Sequence, residues 1–388
     1  ALDSALAQTY PNVEIVVVDD GSTDASLEIA EAYAARHPSR VKVYTHPDRR
    51  NLGISATVNL CFEKCAGDYY TGLPSDDVLY PDKIARQVAY LERHPEVGFV
   101  YGYADVIDEQ GRTVAGRRGL DITASPDPLE RLLRSNDISG PTLLFRRECF
   151  AGAGRFDDAL IYSDWEFWFR LLARWRIGFI PEPLMQYRTH SYNTSVGVSP
   201  EFHLRHTLAA MAALRARIPE IGGAVAAPRF RALLDLKLSH LLFCSGDREA
   251  AAVSLASAFA AHPALRDDVG HFARRLESLR GEIYNPPASG AAEADFGDWV
   301  VARLPGLAGE TFARRVGGKV AGQKLAAAAL ASYPADMRAA RRLIVDGLRR
   351  DPGLARDRML MTVLAESLLG ATLAAPLRGF KRRVLGSK

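Results

Sequence analysis

Thr71-Gly72-Leu73-Pro74-Ser75-Asp76-Asp77-Val78-Leu79-Tyr80-Pro81-Asp82 is the stretch on which the fold turns. Adjacent carboxylates without a basic neighbour repel each other, so Asp76 and Asp77 belong either in a solvated acidic loop or beside a cation. Upstream, residues 65–72 read as a turn and a short strand. Downstream, Pro81-Asp82-Lys83 reads as a helix start, with Pro in the first turn and an acid suiting the helix dipole. In an open α/β sheet, an acidic pair after a strand lies at the edge where ligands bind.

Working towards the N-terminus, a helix reads through Asn59 and Cys61, preceded by the loop Asp48-Arg49-Arg50-Asn51-Leu52-Gly53 and by a strand at residues 41–44. Before these, the β-branched run Val13-Glu14-Ile15-Val16-Val17-Val18 suits a strand buried on both faces. It ends in Asp19-Asp20-Gly21-Ser22-Thr23-Asp24 and a helix over residues 25–36, which either Ser22 or Asp24 can cap. Strand alternating with helix predicts a doubly wound α/β domain whose loops near Asp20, Asn51 and Asp76 share one edge. No strand is followed by a dinucleotide or P-loop glycine pattern. A divalent metal at Asp76 and Asp77, Mn2+ or Mg2+, is then the natural way to hold phosphate. Residues 1–6 read as the middle of a helix without an initial Met, so an opening strand is expected to be missing from the start of this sequence.

Three motifs in this order, residues 16–24, Asn51-Leu52-Gly53 with Asn59, and residues 75–82, resemble the family-two glycosyltransferases of the GT-A fold, whose sheet is Rossmann-like and mixed. The resemblance implies an inverting, metal-dependent enzyme that uses a nucleoside-diphosphate sugar, expected to be a UDP-sugar. It sets Asp20 at the base, Asp19, Arg50 and Asn51 around the nucleotide, Asp76 at ribose and metal, and Asp77 at the metal. The family writes the acidic motif Asp-x-Asp-Asp, and Pro74 stands in its first position here.

Residues 98–108 read as a strand running into a turn at Glu109-Gln110-Gly111, and residues 112–127 as a Gly- and Arg-containing loop, either a lid or a surface excursion. Residues 136–147 read as a polar loop feeding another strand. In Ser163-Asp164-Trp165-Glu166-Phe167-Trp168, both acids open a helix and suit its positive end as caps. The stretch also resembles the family's Glu-Asp-Trp motif, which assigns Asp164 as the base and puts Trp165 on the acceptor side, with Ser163 in place of the usual Glu. Tyr187-Arg188-Thr189-His190 resembles a Tyr-Arg-x-His segment, which sets Arg188 and His190 at the donor phosphates and His190 at the metal.

From residue 199 the sequence turns helical and rich in Ala, Leu and Arg. The expected division is therefore a GT-A domain at 1–198 and a helical region at 199–388. Residues 236–263 resemble a tetratricopeptide-like hairpin, with a weaker echo at 325–352; two units are too few for a solenoid, so packed helices are expected. Residues 285–290 read as a linker or surface loop. Residues 359–377 are apolar and precede Arg378, Lys381, Arg382, Arg383 and Lys388. They read as a core helix with a solvated tail, or as a peripheral contact with an anionic membrane surface.

A chain of 388 residues with net charge +3 gives no electrostatic reason to bind nucleic acid. Four cysteines without zinc-knuckle spacing read as small buried residues of a reducing compartment, so the expected location is cytoplasmic, either free or, where the tail meets anionic lipid, peripheral at the inner membrane face. The implied role is sugar transfer to a saccharide, lipid-linked or protein acceptor in cell-surface polysaccharide or glycolipid synthesis. The alternatives are a degenerate glycosyltransferase-like domain that binds partners through its helices, and a receiver-like signalling domain, for which a strand-end lysine is not apparent.

Overall fold

The computed structural model describes residues 1–191, 193, 199–280, 291–332, 336–357, 359–361, 363 and 364. The chain divides into two compact units, Ala1–Ser254 and Leu255–Lys388. The expected boundary at 198/199 marks the change to helical sequence, whereas compactness changes later. Two further helices belong to the first unit because their side chains bond back to it: Tyr162 Oη lies 2.9 Å from His203 Nδ1, and Lys237 Nζ donates to the Arg134 carbonyl at 3.1 Å.

The first unit opens with α1 (Leu2–Leu6), β1 (Ile15–Asp19), α2 (Ser26–Arg36), β2 (Val41–Thr45) and α3 (Ile54–Lys64). β1 and β2 pair in parallel, Ile15 opposite Val41 and Asp19 opposite Thr45. Asp24 Oδ1 accepts from the Ser26 amide at 2.9 Å at the entry to α2. Next come β3 (Tyr69–Tyr70), β4 (Val78–Leu79), α4 (Lys83–Arg93), β5 (Val97–Ile107) and β6 (Thr113–Arg118). After them follow α5 (Pro128–Arg134), β7 (Leu144–Arg146), α6 (Arg147–Ala153), α7 (Ser163–Leu172) and β8 (Arg176–Arg188). These strands form a mixed sheet in the order β3-β7-β5-β8-β4, with β6 paired to β5. The unit continues with α8 (Pro200–Ile221) and α9 (Pro228–Cys244), and its boundary falls inside α10 (Arg248–Ala261).

β5 and β8 form the spine. Val97–Gly102 are all buried, as a strand covered on both faces requires. Gly102 lets β8 come close: a Cβ there would lie 2.7 Å from the Ile180 carbonyl and 2.9 Å from that of Glu182. An aromatic cluster fastens the helices to this sheet. Phe62 of α3 meets Tyr70 and Phe145 at 5.2 Å between ring centroids, and Phe156 stacks on Phe167 of α7 at 4.2 Å. Residues 112–127, expected as a loop, contain β6. The turn at Asp108–Gly111 is a hairpin in which the Asp108 amide donates to the Arg112 carbonyl at 2.9 Å, returning the chain onto β5.

Lys83 of α4 is fully buried, its Nζ 2.6 Å from Thr71 Oγ1 and 3.4 Å from the Leu143 carbonyl, and desolvation pushes its pKa down to about 7. Between pH 7 and about 10 the unfolded chain therefore holds a proton that the native chain does not. Stability gains up to about 1.4 kcal/mol per pH unit over that window and loses it as pH falls towards 7. Lys83→Met is expected to remove this rise, read as the difference between wild-type and variant urea midpoints at pH 7 and pH 9.

In the second unit, α11 (Val269–Arg280), α12 (Ala291–Val301), α13 (Leu304–Ala308), α14 (Glu310–Ser332) and α15 (Met337–Arg350) follow α10. α14 and α15 approach through glycine: a Cβ on Gly322 would lie 3.0 Å from the Gly347 carbonyl, and one on Gly347 3.1 Å from the Gly322 carbonyl. Ala326, Ala329, Ala340, Ile344, Leu360 and Val363 form the core there. The expected loop at 285–290, residues 333–335 of the weaker helical echo, and the apolar and basic tail from residue 365 onward lie outside the described residues. Among the described residues no helix is long and apolar enough to cross a membrane.

Candidate active site

Two loops meet at the ends of β1 and β2. Asp19 Oδ2 accepts the amides of Gly21 and Ser22 at 3.2 and 3.1 Å, which folds the β1 exit into a tight turn. Asp20 reaches across, its Oδ1 2.7 Å from the Leu52 amide and its Oδ2 3.0 Å from that of Gly53. Gly21 has φ +76°, and a Cβ there would fall 2.8 Å from the Arg49 carbonyl oxygen, so the turn needs glycine twice over. Asp48 and Arg49 also sit at positive φ, 56° and 53°, strain of a kind that collects at binding loops. Arg50 and Asn51 are exposed on the lip. The buried His46, which the sequence reading passed over, lies 2.9 Å from Thr57 Oγ1 and 3.5 Å from Asp20 Oδ1. Its signal is its place one residue past β2, at the same sheet edge.

The acidic pair, in the turn just before β4, separates into two environments; β4 pairs antiparallel with β8, Val78 opposite Gln186, which brings Asp77 against the Arg188 amide. Asp77 points inward and is fully buried. Its Oδ1 accepts the Arg188 amide at 2.8 Å, and its buried Oδ2 has no hydrogen-bond partner among the described residues. Burial raises its pKa to about 6, with Asp76 adding to the rise and Arg118 and Arg188 opposing it. Asp76 is half-buried, its Oδ2 2.9 Å from His190 Nε2 and 3.3 Å from Asn193 Nδ2. Asn193 also fixes the loop by accepting the His190 amide at 2.6 Å and donating to the Arg188 carbonyl at 3.1 Å.

Arg188 spends its side chain on backbone. Nε donates to the Asp76 carbonyl at 2.8 Å, and Nη1 to those of Asp108 and Glu109 at 3.1 Å each. It clasps the acidic loop to the β5–β6 turn. Among the described residues no group of three or more His, Cys, Asp or Glu side chains is arranged to hold a metal. Asp76 and His190 do offer a carboxylate oxygen and an imidazole nitrogen side by side. That pair suits Mg2+ or Mn2+ where substrate oxygens complete the shell, while Asp77 faces away from it into the protein.

The third acid arrives from a separate part of the chain. α3 begins at the loop that Asp20 holds, and its Ser55 Oγ lies 2.7 Å from Ser163 Oγ, while Asn59 Nδ2 donates to the Phe156 carbonyl at 2.9 Å. These bonds fix the start of α7, and Ser163, in place of the expected Glu, serves as an anchor there. Asp164 is half-buried, its Oδ2 accepting from Asn136 Nδ2 at 3.1 Å and its Oδ1 from the Trp165 amide at 2.7 Å. Desolvation raises its pKa, against the hydrogen bonds from Asn136 and Trp165 and the charge of Arg118. Gly140 leaves room beside it: a Cβ there would lie 4.0 Å from Asp164 Oδ2 and 3.4 Å from Trp168 Cζ2. Arg118 acts electrostatically on Asp77 and Asp164 alike, so one guanidinium lies within range of both acids.

Trp165, expected on the acceptor side, turns inward instead. Its indole is 4% exposed, donates to the Leu132 carbonyl at 2.9 Å and carries Lys237 Nζ 4.8 Å from its ring centroid. Glu166 is a core residue. Both its oxygens lie 3.0 Å from Arg170 Nε, and Oε2 lies 3.3 Å from Arg217 Nη1. A cavity of about 640 Å³ lined by Arg155, Asp157, Arg170, Arg174 and Arg217 includes none of the three acids Asp76, Asp77 and Asp164. Cys61, Cys65 and Cys149 are raised to about 11, 12 and 12 by burial, which makes them poor nucleophiles.

Residues 1–152 match the family described as Glycosyl transferase family 2. An uncharacterized glycosyltransferase of Rickettsia typhi is 33% identical over 206 residues, 50% of this chain and 60% of that protein, so the chain spans well under the full length of that relative. The amylovoran biosynthesis glycosyltransferase AmsE of Erwinia amylovora is 28% identical over 192 residues, 49% of this chain and 70% of that protein. Among solved structures, Staphylococcus aureus TarS in complex with UDP is 18% identical, with a TM-score of 0.46 over 80% of this chain and 87% of that one. The match to glycosyl transferase family 2 covers residues 1–152, which hold the strand and helix order from β1 to β7 and the acidic positions Asp20, Asp76 and Asp77.

Proposed function

We propose that the chain moves a sugar from a nucleoside-diphosphate sugar to an acceptor hydroxyl with inversion, in the synthesis of a cell-surface polysaccharide or glycolipid. One observation carries this reading: Asp164 and Asp77 of the acidic loop are separate in sequence but lie within electrostatic range of the same guanidinium, Arg118, and beside Asp77 the side chains of Asp76 and His190 pair at 2.9 Å. Asp19, Asp20, Arg50 and Asn51 frame the nucleotide, and Asp76 with His190 would hold a divalent cation. A divalent ion there would offset the charge of the departing diphosphate. Asp164 takes the acceptor proton as the hydroxyl oxygen attacks the anomeric carbon. Its partial burial strengthens it as a base, while Asn136 holds the carboxylate in one orientation. Arg188 positions the acidic loop through backbone carbonyls. AmsE, named for amylovoran biosynthesis, supports a polysaccharide as the product.

The test is calorimetric titration with UDP, and with GDP as comparator, in the presence and absence of Mn2+. UDP is expected to bind at least about ten-fold more tightly with Mn2+, and Asp76→Asn to erase that difference. Equal affinity with and without the ion would favour a degenerate binding domain.

A further inference from the structure

The cleft has two arginines near its acids, and the structure uses them differently. Arg188 has committed Nε and Nη1 to the carbonyls of Asp76, Asp108 and Glu109. Arg118, at the end of β6 and opposite Ala104 of β5, is exposed, and no carboxylate among the described residues lies within ion-pair distance of it. Its neighbour Arg117 pairs with Asp105 at 3.4 Å. Arg118 instead stacks on Tyr187, its Cζ 4.2 Å from the ring centroid. Stacking on an aromatic face holds a guanidinium flat and leaves its N–H edge pointing outward.

The position is also braced. The residues after it are tied down by the Leu120 amide donating to the Asp137 carbonyl at 3.1 Å and by Tyr101 Oη donating to the Leu120 carbonyl at 2.6 Å. Tyr187 itself directly precedes Arg188, whose amide holds Asp77. A cation stacked in place within range of Asp77 and Asp164, with no carboxylate among the described residues at ion-pair distance, is placed for an incoming anion.

We propose that Arg118 is the anion-recognition residue of this cleft, its planar fork taking two oxygens of a phosphate group. The phosphate has two possible sources: the diphosphate of the donor, or a phosphate carried by the acceptor. Geometry matches phosphate to guanidinium bidentately in either case. The proposal rests on the sugar-transfer reading for the identity of the source, and on Arg118 alone for the binding of phosphate.

Full-length wild type, Arg118→Gln and Arg118→Lys are titrated with uridine, with UDP and Mn2+, and with inorganic phosphate added after UDP, once matching melting curves show that each is folded. If the donor is the source, Arg118→Gln weakens UDP about ten-fold or more and leaves uridine unchanged, because a charged hydrogen bond to phosphate is lost. If the acceptor is the source, UDP affinity is kept and binding of inorganic phosphate to the UDP-loaded protein is lost. In either case Arg118→Lys recovers only part of the loss, since a point charge lacks the fork. Unchanged affinity of Arg118→Gln for both UDP and phosphate overturns the proposal. Should wild type bind phosphate through Arg118 but not UDP, the nucleotide-sugar reading falls and this assignment stands.

Discussion

Asp164→Asn is expected to lower sugar transfer by about three orders of magnitude while leaving UDP affinity and melting temperature unchanged. Asn matches Asp in shape and still offers Asn136 a carbonyl oxygen, so the bond observed at 3.1 Å has an acceptor in the variant. What the variant lacks is a group able to accept the hydroxyl proton. Loss of UDP affinity together with transfer would show Asp164 to be structural and remove it as the base. The pH profile supplies a second check. Burial raises the Asp164 pKa, and only the ionised form works as a base, so the rate is expected to fall as pH drops through a limb lying above the ordinary carboxylate range.

Glu166→Ala is expected to be the most destabilising single change, costing about 3–5 kcal/mol in urea unfolding. The carboxylate is fully buried, and with it gone the guanidinium of Arg170, itself only 8% exposed, would lose its counter-charge, as would that of Arg217 on one side. Replacing the pair together, Glu166→Leu with Arg170→Met, is expected to recover most of the loss, because an apolar pair of similar volume needs no compensation. If Glu166→Ala unfolds at the wild-type midpoint, the ion pair is not what secures α7.

These two acids show where sequence reading stops. Asp164 and Glu166 both fall in the first turn of α7, where capping accounts for either. Two residues apart on a helix is about 200°, so they face different surroundings. Which surroundings those are depends on Asn136, beside Asp164, and on Arg217 of α8, beside Glu166, both distant in sequence. Trp165 shows the same limit: an aromatic beside a base suggests a wall for a sugar, but α5 and Lys237 cover it. β6 was hidden for another reason. Thr113–Arg118 is short, with two small residues and no apolar alternation, and it is a strand because the hairpin at Asp108–Gly111 delivers it to β5.

The sequence by itself determined the α/β order of the first unit, since β-branched runs and helix starts are local properties of neighbouring residues. It also singled out Asp20, Asp76 and Asp164 as candidates, through their place in stretches that resemble family motifs and not through spacing alone. Tertiary structure alone decided what each group faces: Asp76 towards His190, Asp77 into the protein, Arg188 onto backbone carbonyls, and Arg118 free over Tyr187. The physical reason is that the role of a charged side chain is set by its desolvation and by the partners it meets. Both are supplied by segments distant along the chain, so no local pattern can encode them.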